Sequence, residues 1–137
     1  MNNNELFNVW INLTKYHERL LKAMDYILQN QFQLGIKEFY LMYYLAQAEQ
    51  TQMKLSDLVP KVGLSHSALS RLVTRLEHYR AGALVERKPD VNDKRSVDII
   101  LMKKGEQLIH EMQRLINDCL QSQLSEKDIQ NIKMLVE

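Results

Sequence analysis

Residues 54–101 read KLSDLVPKVGLSHSALSRLVTRLEHYRAGALVERKPDVNDKRSVDIIL, and the reading of this stretch decides the fold. It predicts a short helix, a tight turn, a second helix and then a two-stranded hairpin. The second helix is expected to start at Ser65, whose hydroxyl can accept a bond from the free N–H groups of the first turn. Leu64 and Leu69 flank that start at the spacing of a hydrophobic staple. Gly63 supplies the unusual backbone angle of a sharp helix–helix corner. From Ser65 to Tyr79 the apolar residues Leu69, Leu72, Val73 and Leu76 recur at helical spacing and are expected to face inward. The opposite face carries His66, Ser67, Ser70, Arg71, Thr74 and Arg75. Small polar residues let a helix approach DNA closely, and arginines reach base edges or phosphates. The pattern is that of a recognition helix.

The hairpin is expected from residues 84–88 and 96–101, the latter alternating Val97, Ile99 and Leu101 with Ser96 and Asp98. Between them Pro89, Asp90, Asn92 and Asp93 make a turn-rich loop. Lys88, Lys94 and Arg95 gather around its tip, as in a wing laid on phosphates or into a minor groove. Arg87, Asp90, Asp93 and Arg95 follow an Arg-x-x-Asp-x-x-Asp-x-Arg spacing, and a strand and Lys104-Gly105 come next. In these residues the chain resembles the multiple-antibiotic-resistance regulator (MarR) family of winged helix-turn-helix proteins, over nearly its whole length.

The resemblance implies a mainly α fold with a small β-hairpin, as one domain over residues 1–137. Residues 1–35 and 103–137 would be dimerisation helices and 36–102 the DNA-binding lobe. It implies a homodimer on a pseudo-palindromic operator in double-stranded DNA, most simply a repressor released by a small aromatic or phenolic effector. By position, His66, Ser67, Ser70 and Arg71 are expected at base edges, and Lys61, Thr74 and Arg75 at phosphate. Ser65, Arg87, Lys88, Asp93, Lys94 and Arg95 complete the expected DNA-facing set. In the family the residue matching Arg95 enters a minor groove, and the one matching Asp93 holds it by limiting its rotamers. One departure is His78-Tyr79-Arg80-Ala81-Gly82-Ala83, longer than the family's usual turn, which would lengthen the helix or tilt the wing.

The remaining sequence bounds the reading. A chain of 137 residues with four glycines and two prolines suits one mostly helical domain. Net charge is only +1, but residues 61–104 hold ten Lys/Arg against five Asp/Glu while both flanks are mildly acidic. A basic centre of this kind suits a protein that meets DNA on one side. No apolar run approaches the roughly 20 residues of a membrane span. The start, MNNNELFNVW, lacks the features of a secretion signal, so a cytoplasmic location is expected. Cys119 is the only cysteine, which leaves no internal disulfide and no cysteine-based zinc site.

A long helix is expected from Glu5 to about Gln31, and its apolar face asks for a second subunit. Another is expected from Ile36 to about Ala48, rich in aromatics. Pro60 is tolerable only near a first helical turn. Lys103 to about Ser122 forms the next helix, and Ser125 opens a last one with a capping-box pattern.

Other chemistry finds little support. The histidines and acids form no close metal-ligand cluster, and neither a catalytic constellation nor a cofactor motif is present. His17 reads as an interface residue within an apolar stripe. Cys119 sits among Met112, Leu115, Ile116 and Leu120 and reads as core, whereas peroxide-sensing relatives carry their reactive cysteine near the N-terminus. Trp10, Tyr16, His17, Tyr40, Tyr43 and Tyr44 are the candidate effector residues. The rival readings are a winged-helix protein–protein interaction module and a ligand-independent architectural DNA binder.

Overall fold

The computed structural model describes residues 3–93 and 95–137. Two compact units emerge, one of residues 36–113 and one of residues 1–35 with 114–137.

The first unit opens with α2, Ile36–Gln47, which buries Phe39, Leu41, Met42 and Leu45. A 3-10 turn at Glu49–Thr51 leads into strand β1, Gln52–Lys54. Helix α3, Leu55–Val62, buries Leu55, Leu58 and Val62, and Gly63 ends it in the left-handed region at φ 77°. The Lys37 ammonium of α2 donates to the Val62 carbonyl at 2.8 Å, placing a cation on the negative end of α3. Pro60 lies in the second half of α3 rather than its first turn. The missing N–H deprives only the Ser56 carbonyl, and Ser56 is exposed to water, so the helix tolerates it.

Helix α4 runs His66–Glu77 with Ser65 as its N-cap, the Ala68 N–H donating to Ser65 Oγ at 3.2 Å. Leu69, Leu72, Val73 and Leu76 are all but completely buried. The helix is not lengthened by the segment after it. Both the His78 N–H and its ring Nδ1 bond the Thr74 carbonyl, at 3.2 and 2.9 Å, and a turn with Gly82 at φ 125° follows. A carbonyl only accepts, so Nδ1 carries the proton.

Strands β2, Val85–Pro89, and β3, Val97–Leu101, pair antiparallel, with Val85 opposite Leu101 and Pro89 opposite Val97. The expected two-stranded hairpin is part of a three-stranded sheet, because β1 pairs with the other edge of β3 in the order β1-β3-β2. Pro89 is harmless at the end of an edge strand. The Leu84 N–H donates to the Leu76 carbonyl at 3.0 Å, and the Leu84 carbonyl accepts from Met102 at 2.9 Å, so Leu84 joins the end of α4 to the start of α5, Lys103–Gln123.

The second unit contains α1, Glu5–Phe32, the C-terminal part of α5, and α6, Glu126–Val136. Gln33, at φ 56°, closes α1 by donating to the Gln29 carbonyl. Ser125 and Asp128 form the full capping box of α6. Among the described residues, no helix is long and apolar enough to cross a membrane.

Gly105 is buried in the first turn of α5, where an added Cβ would lie 2.4 Å from the Leu84 carbonyl oxygen and 2.7 Å from a Leu101 methyl. Gly105→Ala must push α5 away from that corner. A loss of about 1–3 kcal/mol is expected, read as a lower urea midpoint with unchanged slope.

Candidate nucleic-acid interface

With its apolar stripe buried, α4 turns His66, Ser67, Arg71, Thr74 and Arg75 to solvent. Ser65 is exposed but its hydroxyl serves the helix cap. His66 and Ser67 occupy the first turn, where unpaired N–H groups and the helix dipole favour a phosphate. Lys61, at the end of α3, holds its ammonium 5.4 Å from the Tyr44 ring centroid, a cation–π contact that steadies an exposed cation.

Arginines of the expected set divide by what they touch. Arg71 is exposed. Arg75 remains 61% exposed while pairing at 3.3 Å with Glu38, an acid of α2 that is almost fully buried. Arg87, expected at the DNA, is turned into the protein. Its Nη1 pairs with Glu77 Oε1, and its Nη2 donates to the Ser70 carbonyl at 2.6 Å and to Ser70 Oγ at 3.0 Å. The Arg87 main-chain N–H also reaches Glu77 Oε2 at 3.4 Å. Ser70, half-buried, thus accepts Arg87 through both its carbonyl and its hydroxyl oxygen. Strand alternation explains this orientation: Val85 points into the core, so Arg87 shares its face, and Glu86 and Lys88 take the outer one. Glu77 was missed because an acid on a basic helix has no place in a DNA-contact pattern.

The wing tip is built from two aspartate turns. Asp90 Oδ1 accepts the Asn92 N–H at 2.9 Å, and Asp93 Oδ1 accepts the Arg95 N–H at 3.0 Å. Two main-chain bonds, Asp90 N–H to the Ser96 carbonyl and Ser96 N–H to the Asp93 carbonyl, close the loop. Asp93 therefore holds the backbone of Arg95; among the described residues no ion pair joins its carboxylate to the guanidinium. Lys88, Asp93 and Arg95 are exposed, and Lys94 lies outside the described residues.

A family model described as transcriptional regulator SarA/Rot matches residues 11–112, about three quarters of the chain. The chain belongs to the SarA/Rot family of transcriptional regulators. None of the curated proteins matches it in sequence. Its fold is shared by solved MarR-family structures. AbsC, a MarR family regulator of Streptomyces coelicolor, is 20% identical with a TM-score of 0.79, covering 100% of this chain and 92% of its own. Sco3205, a MarR family regulator from the same organism solved in complex with DNA, is 20% identical at 0.80, covering 98% and 85%. BpsR of Bordetella bronchiseptica, whose DNA binding is regulated by 6-hydroxynicotinic acid, is 20% identical at 0.75, covering 94% and 96%. The SarA/Rot chain is thereby a transcriptional regulator by family, with the winged-helix fold of MarR regulators.

Candidate effector residues of this SarA/Rot chain fall in different places. Tyr40, Tyr43 and Tyr44 form an aromatic run on α2 with Phe39, the Phe39–Tyr43 and Tyr43–Tyr44 centroids lying 6.0 and 5.5 Å apart. Burial, with Tyr44 adding to it, raises the Tyr40 phenol above its ordinary range. Trp10 and His17 are exposed on α1, and Tyr16 carries the Arg19 guanidinium 4.8 Å from its ring centroid. The Tyr16 hydroxyl is buried and has no hydrogen-bond partner among the described residues.

A cavity of about 260 Å³ lies within the 36–113 unit, lined by Tyr43, Ala46, Gln47, Thr51, Glu106, Ile109, His110 and Gln113. Only Tyr43 belongs to the sequence-derived set; the rest come from segments separated by more than fifty residues, a juxtaposition no local pattern carries. Its Thr51 wall follows Gln50 in an uncommon backbone region, both with positive φ. Cys119 is buried, which pushes its thiol up and away from the reactive thiolate. Among the described residues no three His, Cys, Asp or Glu side chains are grouped to hold a metal.

Because Asp93 works as an acceptor for one N–H, the amide of asparagine can replace it. Asp93→Asn is expected to bind DNA like the wild type in fluorescence anisotropy. Asp93→Ala, losing a bond worth about 1 kcal/mol, is expected to bind about fivefold more weakly.

Proposed function

We propose that this SarA/Rot chain is a homodimeric, sequence-specific repressor of the cytoplasm that occludes promoters and is released by a small-molecule effector. The observation that carries the reading is the two-faced α4, with four apolar residues sealed in the core and His66, Ser67, Arg71, Thr74 and Arg75 presented outward. Two such helices would enter successive major grooves about one helical turn apart, with Arg95 of each wing in a flanking minor groove.

Dimerisation is assigned to residues 1–35 and 103–137, and DNA binding to 36–102. Supporting this, α1 exposes Leu6, Phe7, Val9 and Trp10, and α6 exposes Met134, Leu135 and Val136. Apolar surface on both elements calls for burial against another chain. For the effector, a cavity with one aromatic wall, Ile109 and several polar side chains suits a small aromatic or phenolic ligand. BpsR, which responds to 6-hydroxynicotinic acid, is a parallel of the same fold.

Selection of bound duplexes from a random pool at physiological salt tests the operator reading. The expected product is an inverted repeat with half-sites about ten base pairs apart; recovery of no motif by folded protein overturns it. Leu135→Lys tests the dimer. A substitution on a free surface costs at most about 0.5 kcal/mol. At an interface it should produce monomer in light scattering and weaken operator binding about 100-fold through lost bivalency.

A further inference from the structure

We propose that Glu77, acting through Arg87, is a positioning residue that sets the pitch of the wing against the recognition helix, so that both dock on DNA as one body. The inference rests on the proposed minor-groove role of the wing and adds to it the device that aims the wing.

The Arg87 guanidinium grips α4 at two levels. Nη1 takes the Glu77 carboxylate in the last turn, and Nη2 takes the carbonyl and hydroxyl of Ser70, seven residues and about two turns earlier. The second Glu77 oxygen accepts the Arg87 main-chain N–H, so the same acid holds strand backbone and side chain together. Both side chains are about three-quarters buried, at 26% and 24% exposure, where water competes little for the charge-assisted bonds. Leu69, Leu72, Val73, Leu76, Leu84 and Val85 already keep α4 against the sheet. Apolar burial has no direction, however, and does not by itself fix rotation of a strand about a helix. The planar guanidinium fork does fix it. Arg87 stands only two residues before Pro89, the last residue of β2, so a small error of angle there is carried outward to Arg95.

The sign of a mutation separates this role from simple electrostatics. Glu77 is an acid on the helix proposed to enter the DNA groove. If it only repelled phosphate, or masked an Arg87 otherwise able to reach phosphate, neutralising it would strengthen binding. The clamp requires the opposite.

The experiment compares wild type, Glu77→Gln and Arg87→Lys on two selected-operator duplexes. One includes the flanking minor-groove segments and the other ends at the recognition-helix contacts. Thermal melts confirm that each variant is folded. Wild type is expected to prefer the longer duplex. Both variants are expected to lose about tenfold on it and to bind the short duplex within about twofold of wild type. Arg87→Lys keeps the charge but cannot grip Glu77 and Ser70 together, so an unchanged affinity on the long duplex overturns the clamp. Tighter binding by Glu77→Gln, or equal losses on both duplexes, also overturns it. A wild type indifferent to the flanks overturns the minor-groove reading itself and this inference with it. A wild type that senses the flanks while the variants behave identically overturns this inference alone.

Discussion

The burial of one stripe of α4 is the constraint on which the rest depends. Leu69, Leu72, Val73 and Leu76 repeat at helical spacing, and each contributes about 1.5–3 kcal/mol when withdrawn from water. No rotation of α4 other than the observed one buries all four. The opposite stripe is therefore forced outward as a set, and the polar, solvent-facing character of that side of the helix is a by-product of its packing. That attraction is non-directional, so the lobe adds directed polar ties around it. Lys37 caps α3, Glu38 takes Arg75, and Glu77 takes Arg87. Each joins two elements, and each uses a charged group where it is at least partly sheltered.

Those ties also revise the electrostatic picture. The basic excess of residues 61–104 counts every arginine alike. Arg87 is neutralised from within by Glu77, and Arg75 is shared with Glu38. Arg71 on α4, Lys61 over Tyr44 and Arg95 at the wing tip are cations that stand at the surface. They lie on α3, α4 and the wing, in keeping with a protein that touches one side of a duplex at several separated points.

Legibility in the sequence followed the range of the interaction. Helices were legible because capping and periodicity act over a few residues: Ser65 and Ser125 are N-caps as expected, and Gly63 turns the corner. Strand β1 was not, because three residues, Gln52-Met53-Lys54, become a strand only by pairing with β3. Pro60 departed from a first-turn rule because the carbonyl it deprives of a donor belongs to Ser56, an exposed residue. The motif spacing placed Arg87 and Asp93 on the wing but not what they do. Strand parity, with Val85 inward, already carried the inward course of Arg87. Asp93 acts on backbone through a local turn, a role that spacing alone does not separate from an ion pair. The cavity joins α2, the 3-10 turn and α5, and nothing in any one of those segments announces it.

On the proposed reading, the backbone beside the cavity sets the scale of its influence. Its Thr51 wall is a β-branched residue in the left-handed region, and such a conformation costs about 1–3 kcal/mol. The next residue begins β1, whose partner β3 is also the wing strand paired with β2. Typical coupling between an effector and a distant ligand is likewise about 1–3 kcal/mol. A molecule seated against Thr51 needs only to favour one backbone state of Gln50 and Thr51 over another to act on that scale. Differential affinity for those states, rather than tight binding as such, would then decide whether a ligand is an effector.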